Sequence, residues 1–476
     1  MKLKFTLLGM LSCISLSSQI SLVKDATFGN GGIAKISYPS TLSETQFEKI
    51  FLNPNGSLTL TLGSEGNVHS GMMAKLTSSG ALDVSYGTSG KVVLEGDSGS
   101  GIQFAQQGQK MIAIYVKDTD AGTSRTMLKR FLPDGKTDTT FGINGTMTAR
   151  PDLFYNQISF QQNGFYHLWG KITAYLPNGA INNGYGNAGN QNPIVNGLPQ
   201  EYMELYSYFG NSNGKNFLNK YHYEIAVSNE NSPHQFTTYD LMNAHLYDYA
   251  GASNGISVYP KKFVLTPGNE ILYLYGVDPN SGDEETRAAI LSSTAQPKNI
   301  NGKTYLDFGL SNINTAITDA VSLQNHYLFA GKKEGKPVMM AYDFNGVKST
   351  VNGLEEFYEN VSADQWVAML PNGPNLFVMV RNSANHDLYV IKYKSTLLDT
   401  QSTQLTETRI TTPFRDQLKI STANKIKKVS IYDASGKAAT VGSTGEIQTQ
   451  NLTRGIYHIQ IDFHDRPSET FKSIKN

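Results

Sequence analysis

Asp25-Ala-Thr-Phe28-Gly29-Asn-Gly31-Gly returns as Asp83-Val-Ser-Tyr86-Gly87-Thr-Ser-Gly90, and again as Asp138-Thr-Thr-Phe141-Gly142-Ile-Asn-Gly145. A fourth copy, Asn182-Asn-Gly-Tyr185-Gly186-Asn-Ala-Gly189, keeps the spacing and loses the acid. The aromatic positions lie 58 (86 − 28), 55 (141 − 86) and 44 (185 − 141) residues apart. Periods of this size mark a repeat architecture, in which no unit buries its apolar face without a neighbour. An Asp or Asn caps a turn through backbone N–H groups, the aromatic packs between adjacent units, and the glycines admit positive φ. Asp25, Phe28, Gly29, Asp83, Tyr86, Gly87, Asp138, Phe141, Gly142, Tyr185 and Gly186 are therefore expected to be structural. A further trace, Leu306-Asp307-Phe308-Gly309, lies beyond a stretch (186–300) that lacks the pattern.

Short apolar runs fill each unit. Lys49 to Leu52 and Ser57 to Leu62 flank Pro54-Asn55-Gly56, and Met111 to Val116 and Thr126 to Phe131 flank a polar turn. Similar punctuation recurs at Pro133, Pro177 and Pro371. Pro fixes φ near −65° and Gly supplies positive φ, so these are reverse turns between antiparallel strands. Three or four short strands per unit is the content of one β-propeller blade. The motif, following a strand and an x-Pro-Asp-Gly turn, resembles the delta-60 repeat family of predicted β-propellers. That resemblance implies an all-β propeller of six or seven blades over residues 19–400. The family has no common activity, so it implies no function.

The final seventy residues read ITTPFRDQLKI from Ile410, then IKKVSIYDASGKA, IQTQNLTRGIYHIQI and FKSIKN. This order resembles the type A C-terminal sorting domain of the type IX secretion system. The matching positions are Pro413-Phe414, Leu418 to Ile420, Val429 to Lys437 with Tyr432, Gly436 and Lys437, Leu452 to Tyr457 with Gly455 and Tyr457, and Lys472 to Lys475. Thr411-Thr412 departs from the family's usual Pro-Asn. The resemblance implies a small β-sandwich-like domain at 409–476, after a linker at 401–408, handled by the type IX machinery. At the other end, Lys2 and Lys4 precede an apolar run ending in small residues, which reads as a signal peptide over 1–18. The expected route is through the periplasm to the outer surface or the medium. No other apolar run approaches spanning length, so no transmembrane segment is expected in the mature chain.

Lysine plus arginine and aspartate plus glutamate each number 40, which disfavours a nucleic-acid partner. The only cysteine, Cys13, lies in the signal segment. Zinc-thiolate sites and cysteine nucleophiles are thereby excluded from the mature chain. Gly96-Asp97-Ser98-Gly99 reads as a Gly/Ser turn, since no His-bearing segment accompanies it. No catalytic residue, metal or cofactor is expected. His222, His234 and His245, near Glu224, Asp240 and Asp248, match no ligand spacing. The unusual stretch is an insertion or diverged blade at about 196–262, rich in tyrosine. Tyr202, Tyr206, Tyr208, Tyr221, Tyr223, Tyr239, Tyr247 and Tyr249 are its candidate ligand-binding residues, since aromatic faces with polar tips suit a glycan or a protein segment. The chain is thus expected to be a non-catalytic binding scaffold. A secreted hydrolase of polysaccharide or peptide and a structural surface-layer component are the alternatives.

Overall fold

The computed structural model describes residues 19–475 except 43–48, 64–67, 99–101, 119–123, 152–157, 162–163, 170, 202–206, 213–214, 221–223, 230, 241–256, 267–269, 279–284, 293–295, 312–314, 398–408, 411–413, 423–424, 434–435, 443–445 and 465–467. Ser17–Leu398 forms one compact unit, and Asp399–Asn476 belongs to another. The stretches expected as signal peptide (1–18) and linker (401–408), and Pro413, lie outside the described residues.

The first unit is a seven-bladed β-propeller. Blade 1 is Lys49–Leu52, Leu58–Gly63, Val68–Leu76 and Lys91–Ser98; blade 2 is Ile102–Gln107, Lys110–Asp118, Ser124–Phe131 and Thr146–Pro151. Blade 3 is Ile158–Gln161, Gly164–Trp169, Lys171–Tyr175 and Asn190–Gln191; blade 4 is Ser207–Ser212, Lys215–Lys220, Glu224–Asn229 and Ser232–Asp240. Blade 5 is Ser257–Leu265, Ile271–Asp278, Glu285–Leu291 and Leu306–Ser311; blade 6 is Thr315–Leu323, His326–Lys333, Lys336–Asp343 and Lys348–Val351. Blade 7 takes three strands from the end of the unit, Gln365–Asn372, Asn375–Asn382 and Asp387–Leu397, and its fourth, Ile33–Ser37, from the beginning. Gln19–Lys24 also pairs antiparallel with Asp387–Leu397 and parallel with Lys348–Val351. The first described strands therefore belong to the last blade.

Seven apolar clusters close the ring, each shared by two successive blades. Phe28, Ile36, Leu60 and Phe377 join blades 7 and 1, and Met73, Phe104 and Phe131 join 1 and 2. Ile114 with Phe165, Leu168 with Leu218, and Ile225 with Tyr273 continue the series. Leu274 with Phe329 and Leu328 with Val378 complete it. A middle strand, caught between two neighbouring blades, is buried on both faces, as at Leu58–Gly63. The outermost strand Ile33–Ser37 alternates instead, because its outer rim meets water.

The motif copies of blades 1, 2 and 3 lie between the third and fourth strands, and the first copy lies between Gln19–Lys24 and Ile33–Ser37 on the edge of blade 7. In blade 2, Asp138 Oδ1 accepts hydrogen bonds from Thr140 N at 3.2 Å and Thr140 Oγ1 at 2.6 Å. Gly142, at φ +56°, then donates its N–H to the Asn178 carbonyl of blade 3 at 2.8 Å. A Cβ on Gly142 would lie 2.2 Å from Thr146 O, so only glycine fits. The same bond to the next blade runs from Gly87 to Asp134 O (2.8 Å) and from Gly29 to Ser79 O (2.7 Å). The rings follow their glycines. Phe141 lies under Gly179 and Phe28 under Gly80, each within 3.0 Å of where a Cβ on that glycine would stand. Tyr185 packs edge-on against Tyr166 of its own blade and His234 of blade 4.

Two expectations from sequence need correction. Leu306-Asp307-Phe308-Gly309 is not a motif copy; it belongs to the outer strand of blade 5. The motif's counterparts there are shorter, Lys298-Asn-Ile300-Asn301-Gly302-Lys303 in blade 5 and Ser349-Thr-Val351-Asn352-Gly353-Leu354 in blade 6. Both keep the two-residue turn with successive positive φ values, 53° and 86° at Asn301 and Gly302, and 52° and 81° at Asn352 and Gly353, as a type I′ hairpin turn requires. Ile300 takes the place of the aromatic against Gly346 of blade 6. The turn expected at Gly96 to Gly99 is instead continuous strand through Ser98.

The tail packs Arg409–Ile410, Gln417–Ser421 and Glu446–Gln448 over a second sheet of Ala438–Gly442, Ile426–Asp433, Gly455–Phe463 and Glu469–Lys475. Phe414, Leu418, Val429, Ile431, Tyr457 and Ile459 fill the space between them.

Candidate ligand-binding site on blade 4

Blade 4 carries no copy of the motif between its third and fourth strands. Its third and fourth strands, Glu224–Asn229 and Ser232–Asp240, are joined by a tight connection with no room for the motif. The tyrosine-rich stretch thus supplies a diverged blade. Its outer strand is extended by a small hairpin: Ile194–Val195 pairs parallel with Gln235 and Phe236, and antiparallel with Leu198–Pro199. Asn196 locks the hairpin, accepting from Thr238 N at 3.0 Å and donating to Thr238 Oγ1 at 3.0 Å.

Strand alternation sorts the blade's two faces. Leu218, Ala226 and Phe236 point toward blade 3. Phe217, Ile225 and Val227 point toward blade 5, with Tyr239 partly buried beside them. Beyond Tyr239 the surface opens into a cleft of about 520 Å³ lined by Lys215, Val227, Asn229, Gln235, Thr237 and Tyr239. The lining offers the Tyr239 ring, one cation and a set of amide and hydroxyl groups beside apolar Val227. That mixture suits a ligand with both apolar faces and many hydrogen-bonding edges.

Tyr239 is the candidate tyrosine that this cleft contains. Tyr208 lies on the inner strand Ser207–Ser212. Tyr202, Tyr206, Tyr221, Tyr223, Tyr247 and Tyr249 lie outside the described residues, as do His222, His245 and Asp248. His234 faces blade 3, where its Nδ1 lies 3.3 Å from Tyr185 Oη. Burial holds its imidazole below the ordinary histidine value.

The repeat residues have partners the sequence reading missed. Asp138, almost fully buried, pairs with Arg130 at 2.8 Å and Lys110 at 2.6 Å. Asp25 pairs with Lys392 at 2.9 Å and Lys394 at 3.2 Å, and Asp83 lies 3.9 Å from Lys75. The signal was available: a basic residue stands eight positions before the acid at 75/83 and 130/138, and where blade 3 has Asn182 it also has Ala174. Burial pushes the Asp138 carboxyl up, but hydrogen bonds from Lys110 and Thr140 and the charge of Arg130 outweigh it and leave the group well below the usual range. Asp25 is held low by the Thr27 hydroxyl first and Lys392 second, against burial. A carboxyl with a depressed folded-state pKa stabilises fully above its unfolded value and loses that contribution as pH falls through the folded value. The melting temperature should therefore drop steeply below about pH 4, and Asp25→Asn with Asp138→Asn should flatten that acid limb.

In the tail, Phe414 is buried, donates its N–H to Ile474 O at 2.9 Å and packs against Tyr457 at 6.1 Å. Tyr457 Oη donates to Thr453 O at 2.8 Å. Gly436, at φ +83°, turns the hairpin in which Asp433 Oδ1 accepts from Lys437 N at 3.1 Å. Tyr432 and Lys472 both stand opposite His458 on neighbouring strands, and Gly455 opens the strand that carries it.

These features define an all-β protein: a closed propeller followed by a small two-sheet domain. Residues 412–476 match the protein family described as the secretion system C-terminal sorting domain. That match implies handling by the type IX secretion machinery and export to the cell surface or the medium. Among the described residues, no helix is long and apolar enough to cross a membrane. A comparison with curated proteins gives no match. Similar solved structures include a prolyl endopeptidase (10% identity, 90% of this chain and 55% of that one, TM-score 0.37). The β-propeller domain of the Trilobed protease from Pyrococcus furiosus is another (8%, 75% and 99%, 0.34). A third is the α-L-arabinanase of Penicillium chrysogenum (11%, 76% and 98%, 0.38). This chain spans 55% of the length of the prolyl endopeptidase. None of these likenesses bears on what the chain binds or does.

Proposed function

We propose that this is an exported binding protein. A signal peptide over 1–18 starts it across the inner membrane, and a delta-60-type propeller carries a non-catalytic site for a glycan or an extended protein segment on blade 4. The observation that carries the reading is the cleft beside Tyr239. It lies on blade 4, whose third and fourth strands are joined without a copy of the motif, and its lining is amphipathic. A site of this make-up holds a ligand by stacking and hydrogen bonds.

A thermal-melt screen of the full mature chain against soluble polysaccharides, oligosaccharides and extended peptides tests it. A ligand at 100 times its dissociation constant should add about 2.7 kcal/mol of stability. Tyr239→Ala should abolish that shift while leaving the unliganded melt within about 1 kcal/mol. A shift that survives Tyr239→Ala would move the site elsewhere, and a flat screen with a cooperative melt would remove the binding reading. For export, deleting residues 409–476 should retain the protein in the periplasm; its normal appearance outside the cell would sink the sorting role.

A further inference from the structure

Three blade junctions carry the acid of the motif, and they differ in how its partner base fills the space between blades. Between blades 2 and 3 the fit is tight. Arg130 stacks on Phe141 at 4.4 Å, pairs with Asp138 at 2.8 Å, and donates to Gln107 Oε1 at 3.0 Å and to the Pro177 carbonyl. Between blades 1 and 2 that place belongs to Lys75. The registers Ile50–Leu60–Ala74 and Phe104–Ala113–Lys129 make Lys75 the counterpart of Arg130, and Asn53 that of Gln107. Lys75 stands over Tyr86 at 5.6 Å and donates to the Pro133 carbonyl at 3.0 Å, repeating two of the Arg130 contacts. The others are loose or missing. Asp83 lies 3.9 Å away and is 26% exposed, against 2% for Asp138 and 3% for Asp25. Asn53 is occupied elsewhere, donating to Ser57 Oγ at 3.1 Å and Thr59 Oγ1 at 3.0 Å and accepting from Gln106 at 3.2 Å.

What the shorter base leaves is a cleft of about 380 Å³ at the junction. Pro54, Met111 and Pro133 give it apolar walls, and Lys75, Asn55 and Gln109 bring polar groups to it. Small-molecule sites span about 300–1,000 Å³, so this one suits a single ring-sized unit. Its polar groups have capacity left over. An ammonium carries three N–H groups. Among the described residues the Pro133 carbonyl is the acceptor that Lys75 reaches at hydrogen-bonding distance. Asn55 Oδ1 accepts from Ser57 N at 3.1 Å and Ser57 Oγ at 2.6 Å, which leaves its Nδ2 hydrogens. Gln109 is exposed, and its side chain has no partner among the described residues. Asp83 already offsets the Lys75 charge, so the junction lacks hydrogen-bond acceptors rather than a counter-ion.

We infer that the junction of blades 1 and 2 is a second binding site, for one uncharged sugar ring, with Lys75, Asn55 and Gln109 donating to its hydroxyls. A pyranose combines the two properties the cleft asks for. Its oxygens accept from several donors at once, and its C–H faces rest on the prolines and Met111. The site shares no residue with the blade 4 cleft and does not depend on it.

Calorimetric titration of the full mature chain carrying Tyr239→Ala tests this with the blade 4 cleft disabled. The probes are glucose, galactose, mannose and N-acetylglucosamine, with galacturonate as the charged counterpart. Saturable binding of at least one neutral sugar is expected in this background. Lys75→Arg keeps the charge and sets a guanidinium where Arg130 has one at the next junction. It should fill the cleft and weaken binding about tenfold or more, with the melting temperature unchanged or raised. Gln109→Ala removes no contact from the fold and should weaken binding about two- to tenfold, the equivalent of one hydrogen bond. The inference is overturned if no neutral sugar binds saturably in the Tyr239→Ala chain, if galacturonate alone binds, or if Lys75→Arg binds as tightly as its parent. Titration of the chain with Tyr239 intact reads the blade 4 cleft separately, so failure of one site is distinguishable from failure of the other.

Discussion

Phe141→Ala should destabilise the propeller by about 3–5 kcal/mol, read as a shift of the urea midpoint at constant m-value. The ring is fully buried. It stacks under the Arg130 guanidinium at 4.4 Å, meets Phe165 at 6.4 Å and lies under Gly179 of the next blade. Backbone hydrogen bonds fix both blades on either side of it, so the space left by truncation cannot collapse, and the cavity term adds to the lost transfer free energy. Tyr185→Ala is the internal comparison. Tyr185 is only partly buried, so its loss should cost distinctly less. A change below about 1 kcal/mol at Phe141 would mean that the blade interfaces do not depend on these aromatics.

Asp138→Ala should cost a similar amount, about 3–5 kcal/mol, because it strands the Arg130 charge in a buried interface. Arg130 and Asp138 are each more than nine-tenths buried. Gln107 Oε1, at 3.0 Å, and the Pro177 carbonyl still hold the guanidinium, but neither neutralises it. Blade 3 suggests the compensation, since it places Ala174 and Asn182 at the corresponding positions. The double variant Arg130→Met with Asp138→Asn should therefore recover at least about 1 kcal/mol relative to the sum of the single changes. Strict additivity in that cycle would show that the two side chains do not act as a pair.

The propeller was legible because its staple needs a particular local chemistry. Only glycine fits at Gly142, and the acid must sit two residues before the N–H groups it caps, so the motif is rigid in sequence. Where blades 5 and 6 replace the aromatic with Ile300 or Val351, three residues drop out and only Asn-Gly remains. That dipeptide is too common to read as a repeat. The ion pairs escaped notice because the base lies on the preceding strand, beyond a turn. The blade 4 cleft could not be read from composition. Its lining comes from three strands and a hairpin, and Tyr239 is one of many tyrosines in that stretch.

The location of the first motif copy bears on how the molecule is made. Residues 19–37 finish blade 7, whose other strands end at Leu397, and the sorting match begins at residue 412. A chain delivered amino-terminus first must hold its opening strands unpaired until almost all of the propeller has followed. The export address comes only after the last partner strand. A product that stops before Asp387 therefore lacks both the strand that pairs with residues 19–37 and the stretch that matches the sorting family.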